Sequence, residues 1–151
     1  MEIKKVAIIG GGTMGSGIAE VCAKSGLDTI VMEPEAAAAE AAQKRINDSL
    51  DKAVARGRLS EQDRTTTGAL LSYTTDINAL SDRDLVIEAI IENEAIKLDL
   101  FKRLDEVTPE HCILASNTSS IPLINIGTAT KRPDRVLGLH FFNPATVQKL
   151  C

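Results

Sequence analysis

"VAIIGGGTMG", residues 6–15, sets four apolar residues directly against six in which only Thr13 and Met14 are not glycine. A short β-branched run cut off by glycine reads as a buried strand. Beyond it, Met14, Ile18, Val21 and Cys22 recur at i, i+4, i+7 and i+8, one face of a helix that closes near Gly26. The glycines therefore lie in a strand-to-helix turn, where something approaches the backbone closely enough to exclude side chains. Gly10-Gly11-Gly12-Thr13-Met14-Gly15 fits G-x-G-x-x-G in the context that motif requires. Gly10 permits the tight turn, Gly12 leaves room for a pyrophosphate, and Gly15 lets the helix pack against the strand. Thr13 and Met14 open the helix, whose free N–H groups and partial positive charge suit an anion.

The second strand, "DTIVME", ends in Glu33, 18 residues beyond Gly15. A carboxylate there accepts from both ribose hydroxyls and repels a 2′-phosphate. Pro34-Glu35 supplies no arginine to hold such a phosphate, so NAD is expected over NADP. A glycine-rich turn in some other α/β protein is the competing reading.

Strands and helices alternate along the rest of the chain. An alanine-rich helix is expected from Glu35 to Arg56, burying Ile46, Leu50, Ala53 and Val54, with Gly57 closing it. Ser60 and Asp63 resemble a capping box. "LLSYTT", "DLVIEAII", "CILASN" and "RVLGLHFF" read as strands. Leu98, Phe101, Leu104 and Val107 mark a helical stripe, and "IPLINIG" a short helix. Continuous apolar strands between helices mean a mainly parallel, doubly wound α/β sheet of the Rossmann type, covered on both faces.

Composition narrows the function. The chain has 151 residues, 44% of them hydrophobic and 25% charged, which suits one globular domain with a substantial core. A net charge of −4 without basic runs argues against a nucleic-acid partner. No stretch is apolar enough for a membrane span, and the apolar start is too short for a signal peptide. Cys22, Cys112 and Cys151 lack metal-ligand spacing and read as thiols in a reducing compartment, so no metal is expected and the cytoplasm is.

The chemistry should lie at the carboxyl ends of later strands, where open parallel sheets hold ligands. His140 ends the sixth strand in "GLHFFNP" and so faces that crevice, although a histidine among apolar residues can equally be a core group. "SNTSS", residues 116–120, brings hydroxyls and an amide to the same edge, or caps the helix that follows, as Ser120 could do. His111, in the polar turn "TPEHCI", reads as a solvated loop residue.

"GGGTMGSGIAE", "VIEAIIEN", "ASNTSS" and "GLHFFNP" together resemble the NAD-binding half of the 3-hydroxyacyl-CoA dehydrogenases, the bacterial 3-hydroxybutyryl-CoA type especially. The resemblance covers essentially the whole chain. It implies reversible, NAD-dependent oxidation of an L-3-hydroxyacyl-CoA to the 3-keto compound. His140 is then the general base, a task that suits the imidazole pKa. Ser119 would hydrogen-bond the substrate's 3-oxygen, and Glu92 and Lys97 would contact the nicotinamide-side ribose and phosphates. Asn117 and Asn143 would flank the crevice. On the long helix, Ser49 and Arg56, with Lys52 beside them, would meet coenzyme A, arginine standing where the family has lysine; a solvated cationic edge is the alternative.

In the family, a glutamate that would fall just after Cys151 partners the histidine, and a helical second domain completes the acyl-CoA cleft and the dimer. The expectation is therefore an NAD-binding half, residues 1–151. It would be monomeric by itself and slow or inactive alone, with a homodimeric full-length parent. Another NAD-dependent hydroxy-acid dehydrogenase, or an NAD-binding module without turnover, remains the alternative.

Overall fold

Strand β1 (Lys5–Ile9) alternates its side chains between two cores: Val6 and Ile8 face one, Ala7 and Ile9 the other. Apolar residues in both sets are what a central strand, covered on both faces, needs. The computed structural model describes residues 1–149 and 151. In it β1 pairs in parallel with β2 (Asp28–Met32) on one side and β4 (Leu85–Glu88) on the other. Strands β3 (Leu71–Thr74), β5 (Ile113–Ser116) and β6 (Val136–Gly138) extend the sheet to the order β3-β2-β1-β4-β5-β6, all parallel. This is the doubly wound Rossmann order, and its switch point lies between β1 and β4.

Helices α1 (Thr13–Lys24) and α2 (Ala36–Ala55) cover one face, burying Ile18, Cys22, Ile46 and Leu50 against Val6, Ile8, Val31 and Ile87. Ala53 and Val54 are only partly buried. Helix α3 (Glu61–Ala69) packs beside them and opens with the expected cap, the Ser60 hydroxyl accepting from the Asp63 N–H at 3.0 Å. On the other face, α4 (Glu94–Val107) and α5 (Leu123–Thr128) bury Leu100, Phe101, Leu104 and Ile126. Among the described residues no helix is long and apolar enough to cross a membrane.

Three local expectations give way. Strand β6 stops at Gly138, so His140 lies beyond the strand and is exposed. Its partner β5 ends at Ser116; after the Leu139 N–H donates to the Ser116 carbonyl, the Asn117 side chain takes the Phe141 N–H and the backbone leaves the ladder. Strand β4 likewise stops at Glu88, because the Glu88 carboxylate accepts the Ile90 N–H at 2.8 Å. Ser120 does not cap α5, whose N-cap is Pro122; the Thr118 hydroxyl accepts the Ser120 and Ile121 N–H groups instead.

Candidate functional site

Gly10 sits at φ +94°, a region L side chains avoid, and a Cβ there would lie 2.8 Å from the Ala89 carbonyl oxygen. At Gly15 a Cβ would come within 1.7 Å of the Gly10 carbonyl, so its absence is a packing requirement. Around Gly12 nothing lies within 4 Å of that position. The open cradle lies at the N-terminus of α1, beside Thr13, which is exposed, and Met14, which is half-buried. The second glycine is therefore bare for a reason outside the protein's own packing, as a pyrophosphate site requires.

Gly11 answers to a different neighbour. A Cβ there would fall 2.4 Å from that of Ala42, so the alanine run of α2 owes its small side chains partly to this contact. The same close approach brings Arg45 over the loop, where its guanidinium donates to the Gly11 carbonyl at 2.5 Å. The Gly11 N–H in turn donates to Glu33 Oε1, also at 2.5 Å. Glu33 thus lies beside the glycine loop, with one oxygen engaged by the backbone. The absence of a nearby arginine is corrected: the residues after Glu33 supply none, but α2 folds one back.

At the carboxyl end of β4 the chain buries two opposite charges. Lys97 is 2% exposed and Glu88 fully buried, with Nζ 2.9 Å from Glu88 Oε1 and 3.2 Å from Glu92 Oε1. Glu88 Oε2 accepts from the Ser116 hydroxyl at 2.6 Å, and that hydroxyl accepts the Thr118 N–H at 3.2 Å. Glu92 accepts from the Thr118 hydroxyl at 2.6 Å and from the N–H and hydroxyl of Ser119 at 3.3 and 3.4 Å. The contacts close into a ring: Glu88, Lys97, Glu92, Thr118, Ser116 and back. Burial pushes the Glu92 carboxyl up, but the hydroxyl, N–H and ammonium donors outweigh it and hold the group below its ordinary value. Glu88 escapes sequence reasoning because it looks like the last residue of an apolar strand, whereas Ser116 stands out only among the hydroxyls of "SNTSS".

Glu92, Lys97 and Ser119 line one groove with Met14, Asn117, His140 and Asn143. Asn117 works through the backbone, its Oδ1 accepting the Phe141 N–H at 2.8 Å and so fixing the chain beside His140. His140 is no core residue: it is exposed, with its ring edge-on to Phe142 at 5.3 Å.

Residues 5–151 match the family described as 3-hydroxyacyl-CoA dehydrogenase, NAD binding domain. The chain belongs to this family. It is 52% identical over 149 residues to 3-hydroxybutyryl-CoA dehydrogenase of Mycobacterium tuberculosis, covering 98% of this chain and 52% of that protein. It is also 45% identical over 150 residues to 3-hydroxyadipyl-CoA dehydrogenase of Escherichia coli, covering 99% and 32%. The crystal structure of M. tuberculosis FadB2 superposes with a TM-score of 0.95 at 51% identity, over 97% of this chain and 52% of that one. The chain thus spans about half the length of the mycobacterial relative. The cofactor of a 3-hydroxyacyl-CoA dehydrogenase NAD-binding domain is NAD, and the open cradle at Gly12 with Glu33 beside it fits that group.

A second cavity of this NAD-binding domain lies between α1 and α2. Ser49 and Arg56 both line it, together with Lys24, Lys52 and Arg58, so the expected pair does come together in a strongly cationic setting. Lys24 was not legible as part of it, being the last residue of α1 and paired with Glu20 at 2.5 Å. An intervening depression shares Asn143 with the His140 groove and Ser49, Glu20 and Thr146 with the cationic cavity. The three depressions are neighbours through these shared residues. Among the described residues no cluster of three metal-ligating side chains occurs. The buried thiols of Cys22 and Cys112 are free, and burial pushes both up to about 11, while Cys151 is exposed.

Proposed function

We propose that this chain supplies the NAD site and the base of an L-3-hydroxyacyl-CoA dehydrogenase. It would act reversibly and take 3-hydroxybutyryl-CoA as substrate, as the name of its mycobacterial relative suggests. The observation that carries the reading is this row of neighbouring depressions. One end holds an exposed imidazole and a serine beside a hydrogen-bonded carboxylate; the other holds four cationic side chains suited to a nucleotide's phosphates. Such a polarised row suits a small acyl group carried on a long anionic handle.

When bound, NAD supplies the acceptor for the hydride from C3. Gly12 and the N-terminus of α1 would hold its pyrophosphate and Glu33 its adenosine ribose. His140, exposed in the groove, would take the hydroxyl proton, a role that suits an imidazole. Ser119 would turn its hydroxyl from Glu92 to the substrate's 3-oxygen, orienting the carbon that reacts. Ser49 and Arg56 would hold the coenzyme A end.

The test uses the full-length protein. His140→Gln should lower kcat by at least about 10²-fold with little change in NADH affinity, since glutamine keeps volume but takes no proton in this pH range. Arg56→Ala should raise KM for 3-hydroxybutyryl-CoA but not for the same acyl group on N-acetylcysteamine, which lacks the nucleotide. Unimpaired turnover by His140→Gln would remove the catalytic assignment.

A further inference from the structure

The ring at the end of β4 has two carboxylates, Glu88 and Glu92, and one ammonium, Lys97. Three donors converge on Glu88: the Ile90 N–H, the Ser116 hydroxyl and Lys97 Nζ. Three donors and no acceptor suit a charged carboxylate, which only accepts. Glu92 likewise accepts from Thr118, Ser119 and Lys97. With all three ionised the ring carries one net negative charge. Glu88 is fully buried and Lys97 2% exposed, whereas the Glu92 side chain is 39% exposed, so salt and water screen the excess charge only from the Glu92 side.

We propose that this ring biases the site toward the oxidised cofactor, with Glu88 the residue that sets its charge. The inference rests on the placement of the nicotinamide in the groove that Glu92, Lys97 and Ser119 line. NAD+ and NADH differ there by one unit of charge, the oxidised ring being cationic and the reduced ring neutral. A net negative wall stabilises the first and leaves the second nearly untouched. It therefore favours capture of NAD+ and release of NADH, the sequence an oxidation requires. Lys97 has a double duty: it neutralises enough charge to let two carboxylates lie side by side, but leaves one in excess. Through Ser116 and Thr118 the same carboxylate fixes the turn that carries Ser119, so charge and position are set together.

Glu88→Gln keeps the shape and an acceptor for Lys97 while removing the excess charge. With this chain, NADH is titrated by its fluorescence and NAD+ by competition against it. The expected result is a rise of at least threefold in the ratio of the NAD+ to the NADH dissociation constant. A purely structural role for Glu88 would weaken both by the same factor, and an unchanged ratio overturns the inference. Glu92→Gln, at the more exposed end of the ring, should move the ratio the same way and serves if Glu88→Gln does not fold. Amide NMR shifts at Ile90, Glu92 and Ser119 on adding NADH report the placement itself. An unchanged ratio with those shifts present overturns the charge bias alone; their absence overturns the placement and the bias together.

Discussion

Gly12 and Gly11 stand side by side and are bare for opposite reasons. Gly12 faces nothing of the protein's own within 4 Å, so Gly12→Val should fold normally and lose NADH binding. A fluorescence titration beside a thermal melt separates the two effects, and an unfolded variant would assign Gly12 to packing. Gly11→Val, aimed at Ala42, should instead damage the fold. The loop's peptide also sets two charges in opposition, because Glu33 repels a 2′-phosphate and Arg45 attracts one. Arg45→Ala should therefore widen the preference for NADH over NADPH, and Glu33→Ala should narrow it, as paired titrations would show. The glycine motif was legible because its meaning is local to six residues. Arg45 was not: it comes from the middle of a helix and reaches the loop only because Ala42 lets α2 pack so closely.

Helix α4 is tied at both ends by groups outside its apolar stripe. The Asn93 side chain accepts the Ile96 N–H at its start. At its end Arg132 pairs with Asp105 at 2.6 Å and donates to the carbonyls of Asp105, Thr108 and Pro109. Arg132→Met strips a buried carboxylate of its partner, a loss of about 3 kcal/mol. In a domain of this size that is roughly 6–12 °C in Tm by calorimetry at neutral pH. Burial raises the Asp105 carboxyl, but the Lys131 N–H and Arg132 outweigh it and hold it low; Asp82, held by Arg83 and Lys5, falls to about 2. Groups depressed on folding contribute stability above their unfolded value, near 4, and lose it as pH falls through the folded one. Stability should therefore decline between about pH 4 and 2 as Asp82 takes up its proton, and the gap between wild type and Arg132→Met should shrink as pH falls below the ordinary carboxylate range. The stripe of α4 was visible in sequence by its period. Arg132 was not, since it lies 27 residues beyond Asp105 and acts through a contact no periodicity encodes.

Across the whole molecule, the parallel, doubly wound sheet followed from strand–helix alternation, whereas the ring beneath the groove did not. Alternation is a property of each segment; the ring draws on β4, the turn after it, α4 and the turn after β5, and exists only once β4 and β5 lie in register, Glu88 opposite Ser116. His140 was singled out as ending a sixth strand that the apolar residues carry to Phe142, whereas that strand ends at Gly138, two residues before it. The same layering has a practical side in the laboratory. Cys22 and Cys112 are sealed in the two cores with thiols raised to about 11, so at neutral pH they are neither accessible nor nucleophilic. Cys151 is exposed. A maleimide dye should thus find a single partner in the native chain, with no cysteine engineered in or out. Intact-mass spectrometry should record one adduct per molecule in native buffer and three after denaturation.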